Sequence, residues 1–420
     1  MRRIPVSILR GGTSKGVFLN AADIPVKGQE RDALILSMMG SPDATGMQLN
    51  GLGGGISSTS KVCIISESDS PAHDVSYLFG QVSIKENYID WGGSCANLSA
   101  AVGLYALRNK LTRRQKKESF LPKASEQVYV WQENLKQDMI IDVANPSMVK
   151  DRVSIPGIPG TAPPIKVRWV NPKIPGVDSL LPTGNAIDSI TLRENNRQVM
   201  ATLVCGTNPT VFVRAEDLGL AGTELPAEVN YAELEPEIEH IRKTAALMMG
   251  LEMPNDGLRV CWVASPKTYQ ATDGTTIEKE EINILARITT PGRVHHALTG
   301  TGAGNLALAA NILGMVLLLL LAVLTYVFNQ LNTGTVPSSK CVASNGKLGE
   351  LIGKSTLRIG QPAGVMMANA TVGWKTNEET ENSDQNLTLP FAKSADLVRS
   401  AKVLMEGWTD IGVFAHDPFR

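Results

Sequence analysis

A mixed α/β (α+β) fold in two similar domains is predicted by three observations. At about 150 residues per domain, the 420 residues suffice for two or three domains with buried cores. Apolar runs of strand length alternate with helix-length segments through both halves of the chain. In each half a glycine-rich turn carrying polar side chains leads into an apolar helix. These turns are Gly92-Gly-Ser-Cys-Ala-Asn97 and Thr299-Gly-Thr-Gly-Ala-Gly304.

The elements follow in order. Ile4, Val6 and Ile8 alternate, so Val6 to Arg10 reads as a strand rather than as part of a transit peptide, despite the two arginines before it. The loop Gly11–Gly16 follows, then the return strand Val17 to Leu19. Asp32 to Met39 is a short helix closed by Gly40. Gly51-Leu-Gly-Gly-Gly-Ile-Ser-Ser-Thr-Ser-Lys61 runs into the strand Val62 to Ile65. Tyr88 to Trp91 is a strand, and Ala96 to Leu107 a helix. The charge run Asn109 to Glu118 reads as a solvated helix end or surface loop. The Pro-rich stretch Ile155 to Pro175 reads as long loops or edge strands. Pro182-Thr-Gly-Asn-Ala-Ile-Asp188 opens a second unit, so the domains are 1–182 and 183–420.

The second half repeats the pattern. Val199 to Cys205 and Val211 to Val213 are strands. Glu235 to Met249 is an amphipathic helix ended by Gly250, with Pro236 placed in its first turn. Arg259 to Ala264 and Ile282 to Thr289 are strands, and an Ala/Leu-rich helix follows Gly304. Ile241–Gly250 and Val398–Gly407 share Arg, Leu, Met and Gly in register, which reads as two helices with the same glycine stop.

Composition narrows the function. Forty basic and 41 acidic residues give a net charge of −1. They form no long basic block of the kind that tracks phosphates. Aromatic residues are 5% of the chain, too few to favour a base-stacking platform, so no nucleic-acid partner is expected. The five cysteines (Cys63, Cys95, Cys205, Cys261, Cys341) form no CxxC pair and fit a reducing compartment. The five histidines show no metal-ligand spacing. GxxxxGK[ST] is absent, and no GxGxxG with a suitable acidic residue occurs, so neither a nucleotide nor a nicotinamide cofactor is signalled. No metal and no cofactor is expected.

Two features could carry chemistry. A helix start offers free N–H groups and a partial positive charge, so two such starts suit a multiply charged acid. The alternative is that the glycines only permit tight turns. At the first start sits Cys95, where a thiol is activated by the helix end unless it is simply a buried core residue. Lys61 follows Ser57-Ser58-Thr59-Ser60 at a strand mouth, either as a desolvated base or as an ordinary strand-end lysine. Lys15 could pair with a substrate carboxylate.

Six ordered motifs together resemble the PrpF family. They are Arg10-Gly-Gly-Thr-Ser-Lys-Gly-Val-Phe18, Gly53-Gly-Gly-Ile-Ser-Ser-Thr-Ser-Lys61, Ser94-Cys-Ala-Asn-Leu-Ser-Ala-Ala101, Pro182–Asp188, Gly206-Thr-Asn-Pro-Thr-Val-Phe-Val213 and the segment at His295-His296. The resemblance runs from about residue 4 to 415 and breaks after Gly314. It implies the diaminopimelate epimerase-like fold, two similar domains each curling a sheet round a central helix, with the active site between them. It also implies an isomerase of small unsaturated di- or tricarboxylic acids such as methylaconitate or aconitate, working without a cofactor. Carried over, Lys61 and Cys95 match the catalytic pair, Lys61 as base and Cys95 as its acid/base partner, or the reverse. The substrate-binding set is then Thr13, Ser14, Lys15, Ser57, Ser58, Thr59, Asn97, Asn208, Thr299 and Thr301. Two departures stand out. Ala96 replaces a glycine of the family's Asn-Cys-Gly-Asn, which puts the loop geometry in question. Thr299 stands near the place of the epimerase branch's second cysteine, which argues against a symmetric two-thiol racemase. An amino-acid or hydroxy-acid epimerase of the same fold and a non-catalytic carboxylate-binding relative are the alternatives.

The uncharged run Leu306 to Phe328 interrupts the resemblance. The family-like phrase Ala310-Asn-Ile-Leu-Gly314 resumes only at Gly334-Thr335-Val336, so residues 315–333 read as an insertion of translated intron. The rivals are a membrane-spanning helix of about 20 residues, which lacks flanking Lys or Arg, and a buried or extended helix. A cytoplasmic protein is expected, with mitochondria as the alternative, acting on a small carboxylate, with a homodimer as a candidate state, and without a membrane partner.

Overall fold

The computed structural model describes residues 2–116, 123–177, 179–192, 196–252, 257–290, 292–312, 356–376 and 388–411. In chain order the first half contains β1 (Arg2–Gly11), β2 (Ser14–Asn20), α1 (Gln29–Met39), β3 (Lys61–Glu67), β4 (Val75–Val82), β5 (Ile89–Asp90), α2 (Ala96–Arg108), β6 (Ser125–Gln132), β7 (Gln137–Ala144), β8 (Val153–Ser154), β9 (Thr161–Ala162) and β10 (Ile165–Val170). Then come β11 (Asp188–Thr191), β12 (Gln198–Cys205), β13 (Pro209–Arg214), α3 (Tyr231–Met248), β14 (Arg259–Ala264), β15 (Tyr269–Gln270), β16 (Thr276–Ile277), β17 (Ile284–Thr290) and β18 (Arg293–Val294). The chain continues through α4 (Gly300–Ala310), β19 (Leu357–Gln361), β20 (Gly364–Thr376), β21 (Thr388–Arg399) and β22 (Ala401–Ile411).

Two compact units result, one of Met1–Val167 with Val398–Arg420 and one of Arg168–Leu397. The division therefore falls inside β10, within the Pro-rich stretch, where the sequence reading divides the chain near residue 182.

In the first unit, β1 pairs antiparallel with β2 and with β22. The parallel pairing of β2 with β3 needs a crossover, and α1 supplies it. Then β3 pairs antiparallel with β4, β4 parallel with β6, and β6 antiparallel with β7. Against this sheet lies α2, touching β1, β2, β3, β6, β7 and β22. An amphipathic helix would bury one stripe, but α2 buries nearly its whole circumference from Ala96 to Ala106. Small residues make this fit: a Cβ on Gly103 would lie 2.5 Å from Ile141 Cγ2. On the sheet's other side, Ile35 and Met39 of α1 pack with Val6, Leu19, Val62 and Ile64. Gly40 ends α1 at φ 73°, where glycine carries no Cβ penalty.

The second unit repeats the plan. β11 to β14 lead through β17 and β19 to β20 and β21. The helix α4 is buried from Gly300 to Ala309 and touches β12, β19 and β20. Each unit is thus a mixed, sheet-dominated fold around a central apolar helix.

Three sequence readings are corrected. Helix α3 begins at Tyr231, not near Glu235, so Pro236 lies in its interior instead of its first turn. Val398–Gly407 is not a helix: it lies in β21 and β22, and β22 pairs with β1 from Arg2 to Gly11. That long-range pairing overrides a helix-like composition. The run after Asn109 is not simply solvated, because Leu111 and Thr112 are buried and Arg113 donates to Ser68 O and Ser70 O. Residues 315–333 and Cys341 lie outside the described residues. Among the described residues, no helix is long and apolar enough to cross a membrane.

Candidate active site

Lys61 opens β3 and is 8% exposed. Its direct cross-strand partner is Gln81, whose Oε1 accepts from Lys61 Nζ. The amine also lies 5.2 Å from the centre of the Phe79 ring. Gln81 Nε2 in turn donates to Ser57 O at 3.1 Å and Ser60 O at 2.9 Å, so one side chain ties the serine loop to the lysine. Burial disfavours a charged amine, while the Gln81 carbonyl and the aromatic face favour it. The serine loop is pinned from behind by the buried amide of Gln48. Its Oε1 accepts from Gly55 N at 3.0 Å and Ser60 Oγ at 2.6 Å. Ser58 is buried, and its carbonyl accepts from Lys15 N at 2.9 Å. Thr59 Oγ1 donates to Ile56 O at 3.1 Å.

Cys95 is the N-cap residue of α2, and its side chain makes no capping hydrogen bond. Its Sγ lies 4.0 Å from Ser14 Oγ. Asn97 Nδ2 donates to Thr13 Oγ1 at 3.1 Å, so both polar residues of the β1–β2 turn meet the start of α2. Gly16 makes the approach to Lys61 possible: a Cβ there would sit 2.7 Å from Leu98 Cδ1 and 3.2 Å from Lys61 O. Thr13, Ser14, Lys15, Ser57, Ser58, Thr59, Lys61, Cys95 and Asn97 therefore all belong to the first unit. Beneath them Cys63 and Tyr77 are fully buried, 4.0 Å apart. Burial, then the charge of Cys95, holds the Cys63 thiol well above its usual range. Burial does the same to Tyr77, with Cys63 and Cys95 adding to it. Both stay neutral at physiological pH and act as core.

In the second unit, Thr299 caps α4, accepting from Gly302 N at 3.1 Å. Its hydroxyl lone pair is thus already engaged within the turn. Thr301 is buried, and its carbonyl accepts from Thr207 Oγ1 at 2.8 Å. Asn305 reaches back from the helix: Oδ1 accepts from Thr207 N at 2.8 Å, and Nδ2 donates to Asn208 O. Asn208 Nδ2 donates to Gly257 O, while its buried Oδ1 has no hydrogen-bond partner among the described residues. Thr299 and Thr301 lie at the start of α4, as Ser14, Cys95 and Asn97 meet at the start of α2, whereas Asn208 joins α4 further along, through Asn305.

A sequence model of the PrpF protein matches residues 1–327. The chain belongs to the PrpF family. The 2-methyl-aconitate isomerase of Shewanella oneidensis is 33% identical over 97% of this chain and 97% of its own length. The 4-oxalomesaconate tautomerase of Pseudomonas putida is 33% identical over 75% of this chain and 81% of its own. The crystal structure of a methylitaconate-delta-isomerase superposes with a TM-score of 0.68 at 28% identity, covering 97% of this chain and 95% of that one. These relatives are isomerases and tautomerases, named for small unsaturated carboxylic acids.

One departure from the family pattern loses its force. Ala96 is the first residue of α2 and is not among the residues with positive φ, so the freedom of glycine is not needed there. Sequence reasoning missed Gln81, Gln48 and Arg399. Gln81 becomes visible only once β3 and β4 are in register. Arg399 lies in the segment misread as a helix; it is 3% exposed, and its Nε donates to Asn97 Oδ1 at 3.2 Å.

Proposed function

We propose that this PrpF-family protein is a cofactor-independent isomerase that moves a proton, and with it a double bond, within a small unsaturated di- or tricarboxylic acid. What carries the reading is the buried Lys61, presented at a strand mouth in the unit where Cys95 opens α2. The full-length likeness to 2-methyl-aconitate isomerase supports it.

The neutral amine of Lys61 takes a proton from the carbon beside the alkene. The electron pair spreads into a dienolate, whose carboxylate oxygens accept from N–H groups of the first turn of α2 and from the Ser57–Thr59 loop. Cys95 gives its thiol proton to the far carbon, and the double bond has then shifted. Rotation within the delocalised intermediate exchanges cis and trans. Lys15, Thr13, Ser14 and Asn97 hold the acid at α2, and Thr299, Thr301 and Asn208 are the second unit's own candidates for binding a carboxylate.

Proton–deuterium exchange, followed by NMR over a panel of unsaturated acids including trans-aconitate and methylaconitate, tests this. Exchange at the allylic carbon is expected, falling by about 10²–10⁴-fold in Lys61→Ala. Exchange confined to the α-carbon of an amino or hydroxy acid would establish an epimerase instead. A folded wild-type protein that binds these acids without exchange would leave only a binding role.

A further inference from the structure

Among the described residues three arginines are buried, Arg31, Arg287 and Arg399, and they are held differently. Arg31 pairs with Asp32 at 3.0 Å and lies 4.3 Å from the Trp91 ring centre. Arg287 spends its donors on backbone oxygens of Thr223, Glu224, Ala286 and Gly360 and stacks 5.2 Å from the Tyr269 ring centre. It is a structural clamp in the second unit. Arg399 lies at the other kind of place, against the start of α2. Its Nε donates to Asn97 Oδ1 at 3.2 Å and its Nη1 to Val398 O at 2.9 Å.

Much of the surrounding backbone serves to put it there. Arg399 ends β21, and the next residue fastens the β1–β2 turn, because Gly12 N donates to Ser400 O at 2.9 Å. Arg10 Nη1 clasps the same point, donating to Gly12 O at 3.0 Å and to Ser400 O at 3.0 Å. Gly12 has φ +48°, and a Cβ on it would lie 2.3 Å from Asn97 Oδ1 and 3.1 Å from Arg399 Cδ. Only glycine leaves room for that asparagine and that arginine to meet.

Burying a guanidinium costs free energy that an anion can repay. Burial lowers the pKa of Arg399 to about 10, and the charge that opposes this lowering is that of Cys95. The positive end of α2 points the same way, since Cys95 is its N-cap.

We propose that Arg399 is a positioning residue that holds positive charge beside Cys95 and stabilises the thiolate left when Cys95 gives up its proton. This deepens the proposed isomerase reading and rests on it for its catalytic meaning. In the step concerned, the S–H bond breaks and its electron pair stays on sulfur. The electron pair of the dienolate forms the new C–H bond. The proton held as ammonium on Lys61 later restores the thiol. Strand β21 thus adds a full charge at a helix start whose first-turn side chains carry none.

The test needs no substrate. The rate of alkylation of Cys95 by iodoacetamide is followed at one fixed, near-neutral pH, by mass spectrometry of the peptide carrying Cys95. Thiolate is the reacting form, so Arg399→Met is expected to slow the reaction about 10-fold, equivalent to about one unit of pH. Arg399→Lys, which keeps the charge, is expected to remain within about 3-fold of wild type on the same scale. Alkylation of a folded Arg399→Met at the wild-type rate would overturn the proposal, as would a lysine variant as slow as the methionine one. Should Arg399→Met fail to fold, Asn97→Ala removes the hydrogen bond that ties the guanidinium to the start of α2 while keeping its charge. Slower alkylation there supports the proposal, and an unchanged rate counts against it. If alkylation depends on Arg399 but no unsaturated acid exchanges, the isomerase reading fails while the charge pair stands.

Discussion

At the scale of single residues, the candidate site is a set of polar atoms held by neighbours that do no chemistry. Gln81 shows how. It accepts from Lys61 and donates to Ser57 O and Ser60 O, so Gln81→Met, of similar length and without the amide, removes three hydrogen bonds at a buried strand mouth. Unsatisfied buried partners cost about 1–3 kcal/mol. A lower urea midpoint is expected, together with a fall in isomerisation rate larger than the change in substrate affinity, because Lys61 loses its aim. A rate that follows affinity alone would show that Gln81 only supports the fold. Lys61 and Cys95 were named from sequence through the family resemblance, each beside a glycine-rich turn. Gln81 and Arg399 were not, because each acquires its partner through strand pairing across the fold. The Lys61–Gln81 pair is only 20 residues apart in sequence, but the Arg399–Asn97 pair is 302 apart.

At the scale of elements, local signals succeeded where a helix or strand is decided by its own residues. Gly40 stops α1, and Arg259–Ala264 is a strand with the bounds its apolar run implies. They failed where a distant partner decides. The segment Ala401–Ile411 has the composition of its helical counterpart in α3, but β1 offers it a full-length antiparallel edge, and pairing outweighs propensity. The start of α3 was misplaced for another reason. The favoured position of proline in a first turn pulled the expected start towards Pro236, whereas the helix already bonds Leu234 N to Asn230 O. In an interior position proline lacks the N–H that would donate to Ala232 O. Pro236 is exposed, so Pro236→Ala adds a backbone hydrogen bond without disturbing the core. It is expected to raise stability by up to about 3 kcal/mol, read as a higher urea midpoint. A lower midpoint would mean that the proline ring makes a contact worth more than the bond.

At the scale of the whole molecule, both units are built round an almost wholly buried helix, and this burial has a titration signature. In the first unit burial raises Tyr105 to about 12, with the charges of Asp23 and Glu406 adding to it. In the second, burial raises Cys205 to about 12. Tyr269 also rises to about 12 through burial, against the influence of Arg287. These are acids whose folded values lie above their ordinary values near 9 for a thiol and 10 for a phenol. Below pH 9 both folded and unfolded chains keep these protons, and the groups contribute nothing to pH dependence. Between the ordinary and the raised values the unfolded chain has released protons that the folded chain retains. The unfolded state then binds fewer protons, and stability falls as pH rises. The buried thiols Cys63, Cys205 and Cys261, all held above their ordinary value by burial, respond first, from about pH 9, and the two tyrosines follow from about pH 10. Urea unfolding at pH 8 and pH 10.5 should therefore differ by about 4 kcal/mol from Cys205, Tyr105 and Tyr269 alone, with the lower midpoint at pH 10.5. Replacing Cys205 with Ala removes one of the thiols that respond earliest, so the variant, though less stable at pH 8, should lose less between the two pH values. An equal loss in the variant would show that the Cys205 thiol makes no contribution to the alkaline destabilisation.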